Sequence, residues 1–164
     1  MTATDDVLAN NARYAASFPG PLPLPPAKSL AVLACMDARL DVYRLLGLQA
    51  GDAHVIRNAG GVVTDDAIRS LTISQRLLGT TEIVLVHHTD CGMLTFSDED
   101  FRDSIHQDTG VRPHWHSEAF SELEDDVRAS IKRITDSPFI PDKSSVRGFV
   151  YDVHTGRLRE VEAA

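Results

Sequence analysis

The sequence predicts a single α/β domain built on a mainly parallel sheet covered by helices on both faces. Three observations carry that reading. Short apolar runs of strand length, SLAVLACMD and EIVLVHH among them, alternate with amphipathic stretches of helical length. The runs are apolar on nearly every residue, as strands buried on both faces are. And 164 residues with 43% apolar composition suffice for one core but hardly for two.

Taken in order, Asp5 to Phe18 places Val7, Leu8, Ala12, Tyr14, Ala15 and Phe18 on a loose 3.6-residue stripe, which predicts a short helix ending at Pro19. The run PGPLPLPP, Pro19 to Pro26, must be extended, and at ~3.1 Å per residue it spans about 25 Å. Residues 1–28 therefore read as a helical arm that folds back on its own subunit or reaches a partner chain. Residues 29–164 read as the domain itself. Its first strand, SLAVLACMD, leads into a helix expected over Leu40 to Leu48 and a glycine-containing turn at Gly47 to Gly51. Asp52 to Arg57 is a second strand. Thr64 is placed to cap a helix whose first turn carries Asp65 and Asp66, where the helix dipole favours anions, and which Gly79 ends. Glu82 to His88 is the third strand. Ser97 or Asp98 caps a helix through Gln107, Gly110 to His116 is a loop, and Ser117 to Thr135 is expected as one long helix. Ser144 to Val153 is the last main strand, and HTGRLREVE turns at Thr155 and Gly156 into an edge strand.

Composition narrows the function classes. Sixteen Lys and Arg against 24 Asp and Glu leave a formal charge of −8, which repels phosphate backbones and anionic lipid and argues against nucleic acid and membrane partners. The apolar runs fall far short of the roughly 20 residues of a spanning helix. The N-terminus, MTATDDVLANN, lacks the basic and then apolar pattern of a secretory signal. The two cysteines, Cys35 and Cys91, form no disulfide framework, and in the reducing cytoplasm expected for this chain both thiols stay available for chemistry.

Ligands of open α/β sheets gather beyond the carboxyl ends of the strands, and chemistry-bearing residues stand at two such ends. Cys35 closes the first strand and His88 the third, with Cys91 three residues further on. Two thiolates and one imidazole suit zinc, and three protein ligands leave a fourth tetrahedral position free, as in catalytic sites. A lone Cys is more often a core residue and H-x-x-C is common by chance, so the combination carries the argument. His87 is expected on the opposite face of the strand from His88. His114, Trp115 and His116 read as a surface loop rather than a second metal site.

The run Cys35-Met36-Asp37-Ala38-Arg39, with Arg57 to Gly61 (RNAGG) and His88-Thr89-Asp90-Cys91-Gly92, resembles the metal-site signature of the beta-carbonic anhydrases. The likeness runs from about Ser29 to Val153. It implies strand order 2-1-3-4 with an antiparallel edge strand, and a homodimer or larger even homo-oligomer. It implies Zn2+ held by Cys35, His88 and Cys91, with Asp37 and Arg39 as a catalytic pair. Arg39 can hold Asp37 in a bidentate fork; if that pair breaks, Asp37 becomes a fourth metal ligand and closes the site, and members of the family occur in both arrangements. The implied reaction is reversible hydration of carbon dioxide to bicarbonate and a proton, by attack of zinc-bound hydroxide. An apolar substrate asks for a dry pocket, for which adjacency nominates Gly60, Val62, Gly92, Met93 and Leu94, with the amides of Gly60 or Gly92 facing the reacting oxygens. The chain departs from the usual pattern at Met36, Ala38 and Gly61, which leaves pocket size and substrate preference open. Hydrolysis of carbonyl sulfide or carbon disulfide is the alternative within the same chemistry. A catalytically silent zinc or bicarbonate-binding protein is the alternative of another class.

Overall fold

A computed structural model describes residues 1–163 of the chain. Its core is a five-stranded sheet in the order β2-β1-β3-β4-β5, with β1 Leu30–Cys35, β2 Ala53–Asn58, β3 Glu82–His88, β4 Ser145–Tyr151 and β5 Leu158–Val161. The first four strands are mutually parallel and β5 joins β4 antiparallel, as expected. β1 lies between β2 and the central β3, pairing Cys35 with Asn58 of β2 on one side and Ala34 with Val86 of β3 on the other.

Successive side chains of a strand face opposite ways, so β1 and β3 feed two cores. On one face Ala31, Leu33, Ile83 and Leu85 pack against α3 (Asp65–Leu78) and α5 (Leu123–Asp136) through Leu71, Val127, Ile131 and Ile134. On the other face Val32, Ala34 and Val86 pack beneath Leu40, Val42 and Leu48, around the short α2 (Val42–Leu46). Gly148 of β4 is the point of closest approach to α5, since a Cβ there would stand 2.3 Å from Val127 Cγ1.

Most helix ends follow the capping chemistry read from the sequence. Thr64 Oγ1 accepts from the Ala67 amide at the start of α3, and Gly79 ends it in a left-handed conformation. Ser97 rather than Asp98 caps α4 (Asp98–Thr109), accepting from the Asp100 amide at 3.1 Å. Two helices are shorter than expected. Leu40 is held in a turn by its N–H donating to the Asp37 carbonyl, so α2 begins only after Asp41, which caps it. The helix expected from Ser117 starts at Leu123, because Glu118 sits at φ 62, outside the helical region, and Ser117 is tied to Asp98 of α4.

The N-terminal arm is a helix, α1 (Ala3–Ala16), followed by an extended run. Thr2 and Asp5 close a capping box at its start, and none of its residues is buried. The extended run re-enters the body at Ala27 and Lys28, whose amides donate to the carbonyls of Gly51 and Asp52. Among the described residues no helix is long and apolar enough to cross a membrane.

Candidate metal centre

Cys35 ends β1, His88 ends β3, and Cys91 follows in the turn that leaves β3; their ligand atoms all lie within 4.8 Å of one another, and all three residues are buried. Two backbone features bring them together. Gly61, at φ 66, lies so close to β1 that a Cβ there would stand 2.8 Å from the Cys35 nitrogen, so only glycine fits. Asp90, at φ 55, gives the sharp turn that returns Cys91 toward His88.

The second ring nitrogen of His88 settles what the first is free to do. Nδ1 lies 2.8 Å from the Thr89 carbonyl, which can only accept, so Nδ1 carries the proton and Nε2 presents its lone pair to the sulfurs. That Nε2 is buried without a hydrogen-bond partner, an arrangement costly in a protein interior unless a ligand satisfies it. The sulfurs are prepared in the same way. The neighbouring Cys91 thiol and the amides of Asp37 and Gly60 hold the Cys35 thiol below its usual range against the pull of burial. The same contact and burial push Cys91 up, opposed by the Met93 amide. Two sulfurs, one unpartnered imidazole nitrogen and amides aimed at sulfur form a donor set that fits a thiophilic divalent ion such as zinc.

Asp37 and Arg39 stand beside this set. Arg39 grips the carboxylate with Nε to Oδ1 at 3.0 Å and Nη2 to Oδ2 at 2.8 Å, and the Arg39 amide donates to Oδ1 at 2.8 Å. This fork holds the Asp37 carboxyl well below the usual carboxylate range. Oδ2 still reaches to 3.6 Å from His88 Nε2. Two partners escaped the sequence reading. Asp90, between the two ligands of the second motif, accepts from Arg39 Nη1 at 2.8 Å, while its carbonyl accepts from Nη2 at 2.9 Å. Arg57 donates to the carbonyls of Cys35 and Asp37 and fixes the turn that carries both. An Asp inside a ligand motif and an Arg opening the glycine turn were the available signals.

Above the donors opens a cavity of ≈ 610 Å³, with Cys35, Asp37 and Cys91 in its wall and Met36, Phe96, Phe101 and Trp115 among its apolar lining. Gly60, Gly92 and Met93 belong to that wall. Val62 and Leu94 stand behind it: Val62 is bracketed by the Asn58 side chain, and Leu94 packs into the core under the metal site. The Gly60 amide serves the Cys35 sulfur and the Met93 amide, rather than that of Gly92, serves Cys91. His87 faces the other side of β3, as expected, with Nε2 2.6 Å from Asp126 of α5 and its ring against Phe120. His116 pairs with Asp98, and no second cluster of metal-binding side chains occurs among the described residues.

Fold and site define the class: an α/β protein with a candidate metal centre at the carboxyl edge of a parallel sheet. A carbonic anhydrase family model matches residues 30–158. Beta-carbonic anhydrase 1 of Mycobacterium tuberculosis (strain H37Rv) is 63% identical over 161 residues, covering 98% of this chain and 99% of that protein. The crystal structure of carbonic anhydrase from Streptococcus mutans superposes with a TM-score of 0.91 at 45% identity, covering 99% of both chains. More distantly, a carbon disulfide hydrolase of Acidianus sp. (strain A1-3) is 35% identical, covering 84% of this chain and 79% of that protein. The chain belongs to the beta-carbonic anhydrase family, and it is an enzyme of that family.

Proposed function

We propose that the chain holds Zn2+ through Cys35, His88 and Cys91 and catalyses the reversible hydration of carbon dioxide to bicarbonate and a proton. The observation that carries this reading is the meeting of the three donors under an apolar cavity, beside a carboxylate already claimed by Arg39. When bound, zinc supplies Lewis acidity that generates a hydroxide nucleophile near neutral pH. Arg39 keeps Asp37 ionised and out of the donor set, so the fourth position stays available. Asp37 Oδ2, facing the donors, accepts a proton-side hydrogen bond from the reacting water and orients it. Gly60, Gly92 and Met93, with the aromatic wall, keep the cavity dry for a small apolar substrate and for bicarbonate leaving it; Val62 and Leu94 support that wall from behind.

The arm belongs to the same reading. Residues 1–28 form it and residues 29–164 the catalytic domain. Val7, Leu8, Tyr14 and Phe18 are exposed apolar groups on or just after α1, and a homodimer or larger even assembly covers them. Two free, buried cysteines at the site suit the reducing cytoplasm.

A stopped-flow assay of the zinc-loaded protein with carbon dioxide, run beside a sulfide-release assay with carbonyl sulfide and carbon disulfide, tests the proposal. Hydration at enzyme-like rates with little sulfide release is the expected result. Dominant sulfide release would replace it with the hydrolase chemistry of the more distant relatives. Zinc-loaded protein inactive on all three would make the chain a silent binding protein.

A further inference from the structure

Hydration releases a proton inside a cavity whose wall is mostly apolar, and that proton has to reach solvent. Of the ionisable side chains in the wall, Cys35 and Cys91 belong to the donor set, and Asp37 is held ionised by Arg39. That leaves Glu118 and His116. Carboxylic acids as a class ionise well below neutral pH and are poor proton carriers there, whereas imidazole exchanges protons between about pH 5 and 8.

His116 is mounted for such exchange. Its side chain is 66% exposed, while the loop that carries it is clamped to α4. Arg102 donates to the Pro113 carbonyl through Nε at 3.1 Å and Nη2 at 2.7 Å. Asp98 Oδ1 accepts from the Ser117 amide at 2.5 Å and from its hydroxyl at 2.8 Å. The other oxygen, Oδ2, lies 2.9 Å from His116 Nδ1. A carboxylate only accepts, so Nδ1 carries the proton and Nε2 is left with its lone pair for water. His116 and Ser117 in turn hold Asp98 well below the usual carboxylate range. The charged groups around the ring are Asp98, Arg102, whose Nη1 lies 3.3 Å from Nδ1, and Glu118 of the same loop, which also lines the wall.

We infer that His116, oriented by Asp98, carries the proton between the cavity and solvent. The inference rests on the proposed hydration reaction. In the forward direction a cavity water passes the released proton to Nε2, giving an imidazolium whose Nδ1–H stays on Asp98. A buffer base then removes the proton from Nε2 and restores the neutral ring. No other bond changes.

The test compares zinc-loaded wild type with His116→Ala in stopped-flow hydration at low and high buffer concentration. The expected result is a loss in kcat on the order of tenfold at low buffer, with kcat/KM and zinc content unchanged and kcat restored by added imidazole. An unchanged kcat at low buffer overturns the inference while leaving the hydration reaction standing. A wild type that hydrates no carbon dioxide overturns both. Nitrogen-15 NMR of the histidine rings in metal-free protein gives a readout independent of turnover. His116 should be protonated at Nδ1 in wild type and shift toward the Nε2–H form in Asp98→Asn, where an oxygen remains for Ser117. An Nε2–H ring in wild type contradicts the role assigned to Asp98.

Discussion

Arg39 spends every side-chain nitrogen on two carboxylate-bearing residues, Asp37 and Asp90, and so ties the strand end that carries Cys35 to the turn that carries Cys91. Its guanidinium is about half exposed, so the stability it lends is modest. In the proposed reaction its chemical effect is larger, because without the fork only the backbone amide at position 39 holds Asp37 back from the donor set. Replacing Arg39 with alanine should cost at least about tenfold in turnover, roughly 1.4 kcal/mol of barrier, with full zinc content. Steady-state rates measured beside metal analysis check this; full turnover in the variant would remove the pair from the mechanism. The donors themselves were legible in the sequence because ligand-rich strand ends are local features. Asp90 and Arg57 were not, since their partners lie 51, 22 and 20 positions away and only the β1–β3 and β1–β2 pairings bring them together.

At the scale of elements, strands and caps were read well because apolar runs and Thr, Ser and Gly punctuation are local. Ser117 to Glu122 was misread for an instructive reason. Ala119 and Phe120 continue the apolar spacing of Leu123 and Val127, so the pattern looks helical. What unwinds the segment is its bond to Asp98, 19 residues earlier, and the left-handed Glu118, neither of which leaves a periodic trace. The arm raises the opposite case, a helix that forms without burying anything in its own subunit. An isolated helix of 14 residues is marginal in water, which is why the proposed assembly is given the task of covering its apolar groups. If the proposed assembly forms, deleting the residues before Lys28 should convert it to monomer or aggregate. Light scattering after size exclusion measures it, and a monodisperse, fully active monomer would refute the role given to the arm.

Over the whole molecule, the excess of acidic groups is organised rather than diffuse. Asp98, Glu124, Asp142 and Glu160 are each held below the ordinary carboxylate range, by His116, Arg159, Ser144 and Arg147 respectively. Depressed native values mean that the unfolded chain binds protons first as pH falls. These groups contribute in full above their unfolded values, near pH 4, and lose that contribution as pH drops through the native values below. Thermal unfolding followed by circular dichroism should give a melting temperature that these groups leave flat from pH 8 to about 5 and lower modestly below about 4, since they are exposed. Added salt should flatten the acid limb of the curve, since these pairs are largely exposed and therefore screened. A melting temperature insensitive to acid would show that the pairs add nothing.

The alternation of His87 and His88 along β3 has a bearing on how such a chain can diversify. One ring is committed to α5 and the other to the donor set, so a residue gained or lost within the strand would exchange the two and ruin both at once. The strand can change only by substitution. At the mouth of the cavity Trp115 to Glu118 come from a connection between two helices, where the constraint is the set of bonds to Arg102 and Asp98 of α4 rather than a strand register. Substitutions that keep those bonds can therefore reshape the entrance while the three donors stay where β1 and β3 put them.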